Sequence, residues 1–382
     1  MARAYLDHAS TTPPRPEALA ALAQWASLAA GDPGRVHEEG RTVRAALEAA
    51  REQVAELLHV ARRQVVFTSG ATEAVNAAVW GATRAAPGAP VMYAAVEHSA
   101  VRDASARLAP TEELPVDATG RIEVDALRTR LESPAMPRPA LVHCQWANHE
   151  VGTLQPVEEV VRLCQEAGVV VHVDAAAACG HVLTDLGALG ADLVSVSAHK
   201  LGGVPGAGAL IVRRGSRYDP LLVGGEQERG RRAGLEPVPA LLAFGAAAGA
   251  LAADGAQALG READAAREHI ASVLHTALAV EGVALIGPAT SVARLPHLVC
   301  LGVHGVEAEP VLIGLDRAGV AAHSGSACSS ESIEPSPVLQ AMGADPNHSL
   351  RISVGWSTAE DDCAVFAAAF PRVVAELRAL RG

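Results

Sequence analysis

Between residues 64 and 212 the chain contains six short apolar runs rich in valine, separated by helix-like or turn-like segments. None of the runs exceeds eight residues, which suits strands that are buried on both faces of a sheet. They occupy residues 64–68, 91–96, 140–147, 169–175, 192–197 and 208–212. The alternation of strand and helix patterns predicts an α/β fold with a mostly parallel sheet that is covered by helices.

The pattern changes after residue 247. A long helical segment, two strand-like stretches and a closing amphipathic helix that begins near Thr358 replace the alternation. We therefore predict two domains: a large one over residues 12–247, and a smaller α/β domain over residues 248–382 against which residues 1–11 dock.

Charge and cysteine usage limit the classes of function. The formal net charge of −12 over 382 residues argues against a general nucleic-acid or anionic-membrane surface. We expect neither a signal peptide nor a membrane-spanning helix, because no suitable apolar stretch occurs. The six cysteines are scattered without a CxxC pair or zinc spacing, which predicts free thiols, a reducing cytoplasm and no metal site.

Lys200 is the only lysine among the 31 lysine and arginine residues. Arginine stays protonated at any working pH, whereas a desolvated lysine can lose its proton and attack a carbonyl. Lys200 is therefore either a residue that arginine cannot replace or a lysine that remained by chance. Its count alone leaves both interpretations open.

Lys200 lies in the segment SVSAHKLGG, residues 195–203, where a buried strand runs into a glycine-rich turn. A lysine at this position can form a Schiff base with an aldehyde cofactor, and the neighbouring Ser197 and His199 can reach a phosphate. The segment therefore favours a phosphorylated aldehyde as the cofactor.

Asp174 ends the hydrophobic strand pattern VVVHVD. A carboxylate at the carboxyl end of such a strand points into the crevice where open α/β sheets bind ligands. There it could pair with a protonated ring nitrogen of the cofactor. The alternative is that Asp174 caps the alanine-rich helix that we predict after it.

The segment TSGATE, residues 68–73, predicts a strand–turn–helix junction whose free N–H groups, at Ala71 and Thr72 among others, can bind phosphate. It is not a P-loop, since no GK[ST] follows, and many helix starts have this composition. His98 comes shortly after another strand and either stacks on a planar ring or is an ordinary hydrogen-bonded histidine.

Cys328 lies in SGSACSS, residues 324–330, where small and hydroxyl-bearing residues predict an exposed, adaptable thiol. The other five cysteines lie in apolar patterns that are typical of packing. Arg351, in LRISVG, follows a predicted strand and either pairs with a substrate carboxylate or forms a surface ion pair.

Together these segments resemble the class-V aminotransferase-like enzymes that depend on pyridoxal 5′-phosphate (PLP), and within them the cysteine desulfurases with a long mobile cysteine loop. The resemblance implies the aspartate aminotransferase-like fold of PLP-dependent transferases. The similar motifs are YLDHASTTP, FTSGATEAVN, EHSAV, NHEVGTLQP, HVDA, SVSAHK, ERGRRAGLEPV, SGSACSSESIEPSPVLQAMG and LRISVG.

The resemblance implies that the chain takes sulfur from L-cysteine, with Lys200, Cys328 and His98 as catalytic residues. Cys328 receives the sulfur as a persulfide and alanine is left, while a homodimer delivers the sulfur to an acceptor protein of unknown identity. Arg351 and Asp32 are the residues implied to bind substrate. The residues implied to hold PLP are Lys200, Asp174, His98, Ala71, Thr72, Ser197, His199 and His149.

Four positions depart from the pattern of the family. Asp32 replaces an asparagine near the expected substrate carboxylate, and His149 stands where a second asparagine is usual. Ala177 replaces a glutamine that contacts the ring hydroxyl, and Leu235 replaces a threonine that reaches the phosphate of the partner subunit. His149 can still donate a hydrogen bond, but Ala177 and Leu235 cannot, which predicts weaker cofactor binding.

Two alternative functions remain compatible with the same segments. One is a different class-V PLP enzyme, such as a selenocysteine lyase or an aminotransferase. The other is a degenerate scaffold that relays sulfur without catalysis. The sequence does not identify the sulfur pathway, because the acceptor recognises a surface that no motif defines.

Overall fold

The computed structural model describes residues 3–28, 31–216, 218–255, 257–324 and 335–380. Cys328 lies outside these ranges. Within them the strands are β1 (Ala4–Tyr5), β2 (Val65–Thr68), β3 (Val91–Ala94), β4 (Thr111–Leu114), β5 (Leu141–Gln145), β6 (Val171–Asp174), β7 (Leu193–Ser197), β8 (Gly208–Val212), β9 (Val283–Ile286), β10 (Leu298–Val303), β11 (Val320–Ala321) and β12 (Ser349–Ser353). The α-helices are α1 (Pro16–Leu28), α2 (Glu38–Leu57), α3 (Ala71–Ala85), α4 (Ser99–Leu108), α5 (Val124–Glu132), α6 (Val157–Ala167), α7 (Leu186–Leu189), α8 (Val238–Ala252), α9 (Gln257–Leu278), α10 (Ala308–Arg317), α11 (Pro337–Ala341) and α12 (Glu360–Ala379).

Seven strands form one sheet in the order β2-β8-β7-β6-β5-β3-β4. The strands from β7 to β4 run parallel to their neighbours, whereas β8 lies antiparallel to both β7 and β2. The register places Gln145 of β5 beside Asp174 of β6, and Asp174 beside Ser195 of β7. The predicted α/β fold with a mostly parallel sheet is confirmed, and the carboxyl ends of its central strands meet at one edge.

Helices cover both faces of this sheet, so its strands are buried on both sides. In β5, Val142 and Cys144 pack into the large hydrophobic core, while Leu141 packs into a separate cluster with Val79 of α3 and Val101 of α4. This explains why the strands appear in the sequence as continuous apolar runs and not as alternating patterns.

The apolar helix α8 packs against α1 and α2. Its Phe244 ring meets Phe67 of β2 edge to face, with ring centroids 6.3 Å apart. The predicted domain boundary at residue 247 falls inside α8, whose Leu251 is still buried in the large core. No single helix of the described ranges is both long and apolar enough to cross a membrane; α8 and α9 reach that length and composition only as a sharply bent pair.

A second core lies under a three-stranded antiparallel sheet in the order β12-β10-β9. Helices α9, α10 and α12 supply most of its remaining side chains, including the stacked rings of Phe366 and Phe370. Strand β1 pairs in parallel with β11, and Asp7 bridges to Ser353 of β12. The opening segment of the chain therefore packs on the second core. The exact domain limits remain a prediction.

Candidate active site

A cavity of about 360 Å³ opens at the carboxyl ends of β5, β6 and β7, beside the N-terminus of α3. All eight residues that the sequence predicts to hold a cofactor line it, although they come from five separate segments of the chain. They are Ala71, Thr72, His98, His149, Asp174, Ser197, His199 and Lys200. The cavity therefore brings together the cofactor residues that the sequence could only place one at a time.

Lys200 ends the short 3-10 turn Ala198–Lys200, which directly follows β7. Its ammonium group donates a hydrogen bond to the carbonyl oxygen of Ala9. The ring of His181 lies 3.1 Å from the carbonyl oxygen of Lys200. Contacts with the N-terminal segment and with the turn after β6 thus hold the single lysine of the chain at the cavity.

Asp174 is fixed by two hydrogen bonds to the same carboxylate oxygen. The hydroxyl of Ser195 donates to Oδ1 at 2.7 Å, and the N–H of Ala176 donates to it at 3.0 Å. The bond from Ala176 resembles a cap, but residues 175–181 form turns and not the alanine-rich helix that we predicted. Asp174 therefore makes a capping-type bond to Ala176 and also lines the cavity with its carboxylate.

Helix α3 begins at Ala71, and Gly70 is its N-cap without a side-chain hydrogen bond. The first N–H groups of a helix have no intrahelical acceptor, so this end can bind an anion. Glu73 in the same turn is neutralised by Arg232, with Nε 2.9 Å from Oε1. Burial alone would raise the pKa of Glu73, but hydrogen bonds from Arg232 and Ser69 outweigh it and lower the pKa.

His98 is the N-cap of α4, and its Nδ1 accepts a hydrogen bond from the N–H of Ala100 at 3.0 Å. Its ring meets the ring of His149 edge to face, with centroids 5.0 Å apart. These two contacts fix the orientation of His98 at the wall of the cavity. His98 therefore has an ordinary capping bond and can still offer a ring face to a planar ligand.

His199 is neutral at physiological pH. Burial, followed by the charge of Lys200, lowers its pKa to about 4. Its Nδ1 lies 3.2 Å from the hydroxyl of Thr11. A neutral histidine next to Ser197 can donate one N–H to a phosphate without adding a second positive charge beside Lys200.

Sequence reasoning missed two buried polar residues close to Asp174, of which Gln145 also lines the cavity. Gln145 ends β5 as Asp174 ends β6, and its amide nitrogen donates to the carbonyl oxygen of Val96 at 2.8 Å. Glu97 accepts the N–H of Gln145 at 2.5 Å, and burial, followed by the charge of Asp174, raises the pKa of Glu97 to about 8. The position of Gln145 at a strand end was a usable signal, but no pattern showed that Glu97 is buried.

The two residues predicted to bind substrate do not line this cavity. The carboxylate of Asp32 accepts the N–H of Gly34 at 2.8 Å and lies 3.2 Å from Arg35 Nε. Arg351 lies within β12, not after a strand, and is only 1% exposed. The alternative of a surface ion pair is therefore wrong for Arg351, whose guanidinium pairs with Asp7 in the interior at 2.9 Å.

The lining supplies the groups that a phosphorylated aldehyde needs: an amine, a carboxylate for a ring nitrogen, and a helix N-terminus for a phosphate.

Ala177 also lines the cavity, whereas Leu235 is 63% exposed on another loop. No group of three or more histidine, cysteine, aspartate or glutamate side chains in the described part of the chain could hold a metal ion.

The profile of the family "Aminotransferase class-V" matches residues 4–366. A cysteine desulfurase of Cereibacter sphaeroides is 37% identical over 396 residues, covering 100% of this chain and 98% of that protein. The cysteine desulfurase IscS of Dictyoglomus turgidum is 34% identical, covering 98% of this chain and 95% of that protein.

Solved structures agree with these matches. A NifS-like protein superposes with a TM-score of 0.89 at 26% identity, covering 98% of this chain and 100% of the other. A NifS-like protein from Rickettsia africae superposes with a TM-score of 0.87 at 25% identity, covering 97% and 99% of the two chains. The fold of this chain is thus similar to theirs over nearly its whole length.

Proposed function

The chain belongs to the class-V aminotransferase family, and from this premise we propose that it is a PLP-dependent cysteine desulfurase that passes the sulfur of L-cysteine to Cys328 and leaves L-alanine. The cysteine desulfurases reported above match it from end to end. The observation that carries the proposal is that Lys200, Asp174 and the start of α3, where no side chain caps the helix, meet at one cavity.

The residues of this cavity fit PLP. The start of α3 at Ala71 and Thr72, with Ser197 and the neutral His199, would hold the phosphate, and Asp174 would pair with the ring nitrogen. His98 would stack on the ring, His149 would donate to the ring hydroxyl, and Lys200 would carry the cofactor. When bound, PLP supplies an electron sink that stabilises negative charge at the substrate Cα.

The chain itself supplies orientation and proton transfer. Ser195 and the N–H of Ala176 hold the carboxylate of Asp174 in one position before any ligand arrives. The amine of Lys200, once it is free, takes the proton from the substrate Cα and later returns a proton to the carbon skeleton. Arg351 and Asp32 remain our proposed contacts for the substrate. Neither lines the cavity, but Arg351 donates to the carbonyl oxygen of His149, which does.

The sulfur step needs an accessible thiolate. In our proposal the thiolate of Cys328 forms an S–S bond with the substrate sulfur while the C–S bond breaks and leaves its electron pair on the substrate carbon. Protonation of that carbon gives alanine, and the sulfur stays on Cys328 as a persulfide. An acceptor thiol then takes the terminal sulfur and regenerates Cys328.

The five cysteines within the described ranges are poor candidates for this step. All five are buried and form no disulfide. Burial is the main reason that the pKa of each thiol is raised, to about 11 for Cys363 and to about 12 for three others. Deprotonating such thiols is costly, and they are shielded from substrate. The five are Cys144, Cys164, Cys179, Cys300 and Cys363.

The proposal includes a homodimer, an acceptor protein and a cytoplasmic location, with no direct role for nucleic acid or membrane. Family resemblance implies the dimer, with the segment around Leu235 reaching the second subunit. Free thiols among the described cysteines suit a reducing compartment. The acceptor is any protein that offers a thiolate to the persulfide.

The test is to incubate purified protein with L-cysteine and a thiol reductant, and to measure alanine and sulfide together. We expect the two products in equal amounts, at a rate that added PLP sustains. A parallel sample with L-cysteine and a 2-oxo acid tests for aminotransferase activity. Amino-group transfer without sulfide release would replace the proposal with an aminotransferase, and the absence of both reactions would leave the non-catalytic scaffold.

A further inference from the structure

Ser336 is the first helix-capping residue after residues 325–334, the segment that contains Cys328. It is fully buried, and its hydroxyl accepts the N–H of Leu339 at 3.1 Å as the N-cap of α11. The same hydroxyl donates its proton to Oε2 of Glu150 at 2.6 Å. One side chain therefore both starts a helix and ties the chain to a carboxylate in the large core.

Glu150 is held firmly in a turn that follows β5. It is 3% exposed, and the side chain of Asn148 accepts the N–H groups of Glu150 and Val151 at 2.8 and 2.9 Å. Asn148 in turn donates to the carbonyl oxygen of Val96 at 3.2 Å. The carboxylate that receives Ser336 is thus part of a rigid hydrogen-bonded turn.

The same turn borders the cavity. Oε1 of Glu150 lies 3.5 Å from Nε2 of His149, and His149 lines the cavity and packs against His98. The two carboxylate oxygens of Glu150 therefore face two partners, one in the cavity wall and one at the point where the chain returns from residues 325–334.

The chain before residue 325 is tied to the same turn by a second route. His323 and Arg351 exchange backbone hydrogen bonds of 2.6 and 3.3 Å. Nη1 of Arg351 then donates to the carbonyl oxygen of His149 at 3.0 Å. The chain on both sides of residues 325–334 is thus anchored to the turn that carries His149 and Glu150.

We propose that Glu150 is a positioning residue for sulfur transfer, which it serves by holding Ser336 and so fixing where the chain that carries Cys328 returns to the fold. A bond to an ionised acceptor is stronger than one between neutral groups, which suits an anchor. Losing the anchor lets the chain return in more than one arrangement, so the thiol meets the substrate less often. The inference rests on the proposed role of Cys328.

The test compares Ser336→Ala with the wild-type enzyme loaded with PLP, in single turnovers with L-cysteine. We expect persulfide to form on Cys328 about tenfold more slowly, since the lost bond is made to a charged group. Alkylation and mass spectrometry measure this rate. The cofactor content, and the amplitude and half-saturation of the absorbance change that cysteine causes, should stay at wild-type values. Glu150→Gln keeps an acceptor oxygen and should lose less than Glu150→Ala.

A matched control separates the anchor from the loss of a helix cap. Asp185 caps another short helix, α7, by accepting the N–H of Ala188 at 2.8 Å, far along the chain from Cys328. Asp185→Ala should therefore form persulfide at the wild-type rate. If Ser336→Ala does so as well, or if it loses cofactor and cysteine binding in proportion to its rate, the proposed role of Glu150 is wrong.

A separate variant distinguishes this inference from the function on which it rests. If Cys328→Ser still produces alanine at the wild-type rate, the proposed function fails, whatever Ser336→Ala shows. If Cys328→Ser is inactive and Ser336→Ala is unimpaired, only the inference about Glu150 fails.

Discussion

Single side chains at the cavity are oriented before a ligand arrives. Ser195 and Ala176 hold Asp174, and the capping bond from Ala100 holds His98. These side chains lose their conformational freedom when the chain folds. Ligand binding therefore costs little further conformational entropy at these positions. Ala177 is the exception, because it lines the same wall without a polar group.

Ala177→Gln should slow the dissociation of PLP in the presence of L-cysteine. A net hydrogen bond contributes about 0.5–1.5 kcal/mol, so we expect up to roughly tenfold slower loss of cofactor. Dialysis with detection of the released PLP measures the rate of this loss. Ala177→Met is the matched control, since it adds similar bulk without a hydrogen-bonding group. Equal rates in the two variants would show that the cavity does not need the missing amide.

Lys200→Arg should abolish the absorbance band that PLP shows when it is covalently linked to the chain. Arginine keeps the positive charge but stays protonated, so it cannot form the covalent link. The measurement is the absorbance spectrum after reconstitution with PLP, and borohydride reduction of the wild type should place the cofactor on Lys200. A normal spectrum in Lys200→Arg, or an adduct at another residue, would contradict the assignment.

Between neighbouring elements, a buried histidine pair links β5 to β6. His143 and His172 face each other in register, with their Nδ1 atoms 2.8 Å apart and both side chains fully buried. Burial lowers the pKa of His143 well below its usual range and that of His172 from 6.5 to about 4. Within the described residues, neither Nε2 atom has a hydrogen-bond partner.

This pair should make the fold sensitive to acid. Between pH 6.5 and about 4 the unfolded histidine binds a proton that the folded one does not, so stability is complete above 6.5 and falls as the pH falls. For His172 the loss of stability between pH 7 and pH 5 is on the order of 2 kcal/mol. Urea unfolding at pH 7 and pH 5 measures how much the free energy of unfolding falls between the two pH values. This fall should be smaller in the double variant His143→Leu, His172→Leu than in the wild type.

The control for acid sensitivity is His275→Leu, because His275 is exposed on α9. This variant should lose the same stability as the wild type between the two pH values. An equally large loss in the double variant would show that the acid sensitivity comes from other buried histidines.

The sequence predicted those elements whose pattern was set by burial. Six predicted strands appear as β2, β3, β5, β6, β7 and β8 with ends shifted by at most two residues. Strand β4 was missed, because its residues, TEEL, are polar and lie at the edge of the sheet. The last helix begins at Glu360 with Ala359 as its N-cap, because Thr358 uses its hydroxyl to accept the N–H of Gly355.

The same reasoning explains what the sequence revealed about the site. Strand ends and helix starts pointed to Asp174, Lys200 and Ala71, because parallel strands deliver these positions to one edge. The interior partner of Arg351 and the anchor at Glu150 depend on contacts between distant segments, 344 and 186 residues apart. No local pattern encodes such contacts.

Over the whole molecule, we expect a homodimer. Val223 and Leu235 are 78% and 63% exposed in a single chain. Leu235 lies in the segment ERGRRAGLEP, which the family resemblance places at the subunit contact, and Val223 lies shortly before it. Covering such apolar side chains favours association. Light scattering at micromolar concentration should give twice the mass of the chain, and Val223→Asp should weaken the dimer.

Leu278→Asp provides the comparison for the dimer, because Leu278 is 48% exposed at the end of α9 in the second core. It should leave the mass unchanged. A wild-type monomer with full activity would contradict the dimer. If both variants weaken the dimer equally, Val223 does not lie at the subunit contact.

The most direct test of the central claim is to locate the sulfur after one turnover. Enzyme loaded with PLP is mixed with L-cysteine without reductant, alkylated, digested and analysed by mass spectrometry. The account predicts one persulfide per chain on Cys328, formed together with one alanine, while the buried Cys144, Cys164, Cys179, Cys300 and Cys363 stay unmodified. Alanine that forms while Cys328 carries no sulfur, or sulfur that appears on one of the buried cysteines, would contradict it.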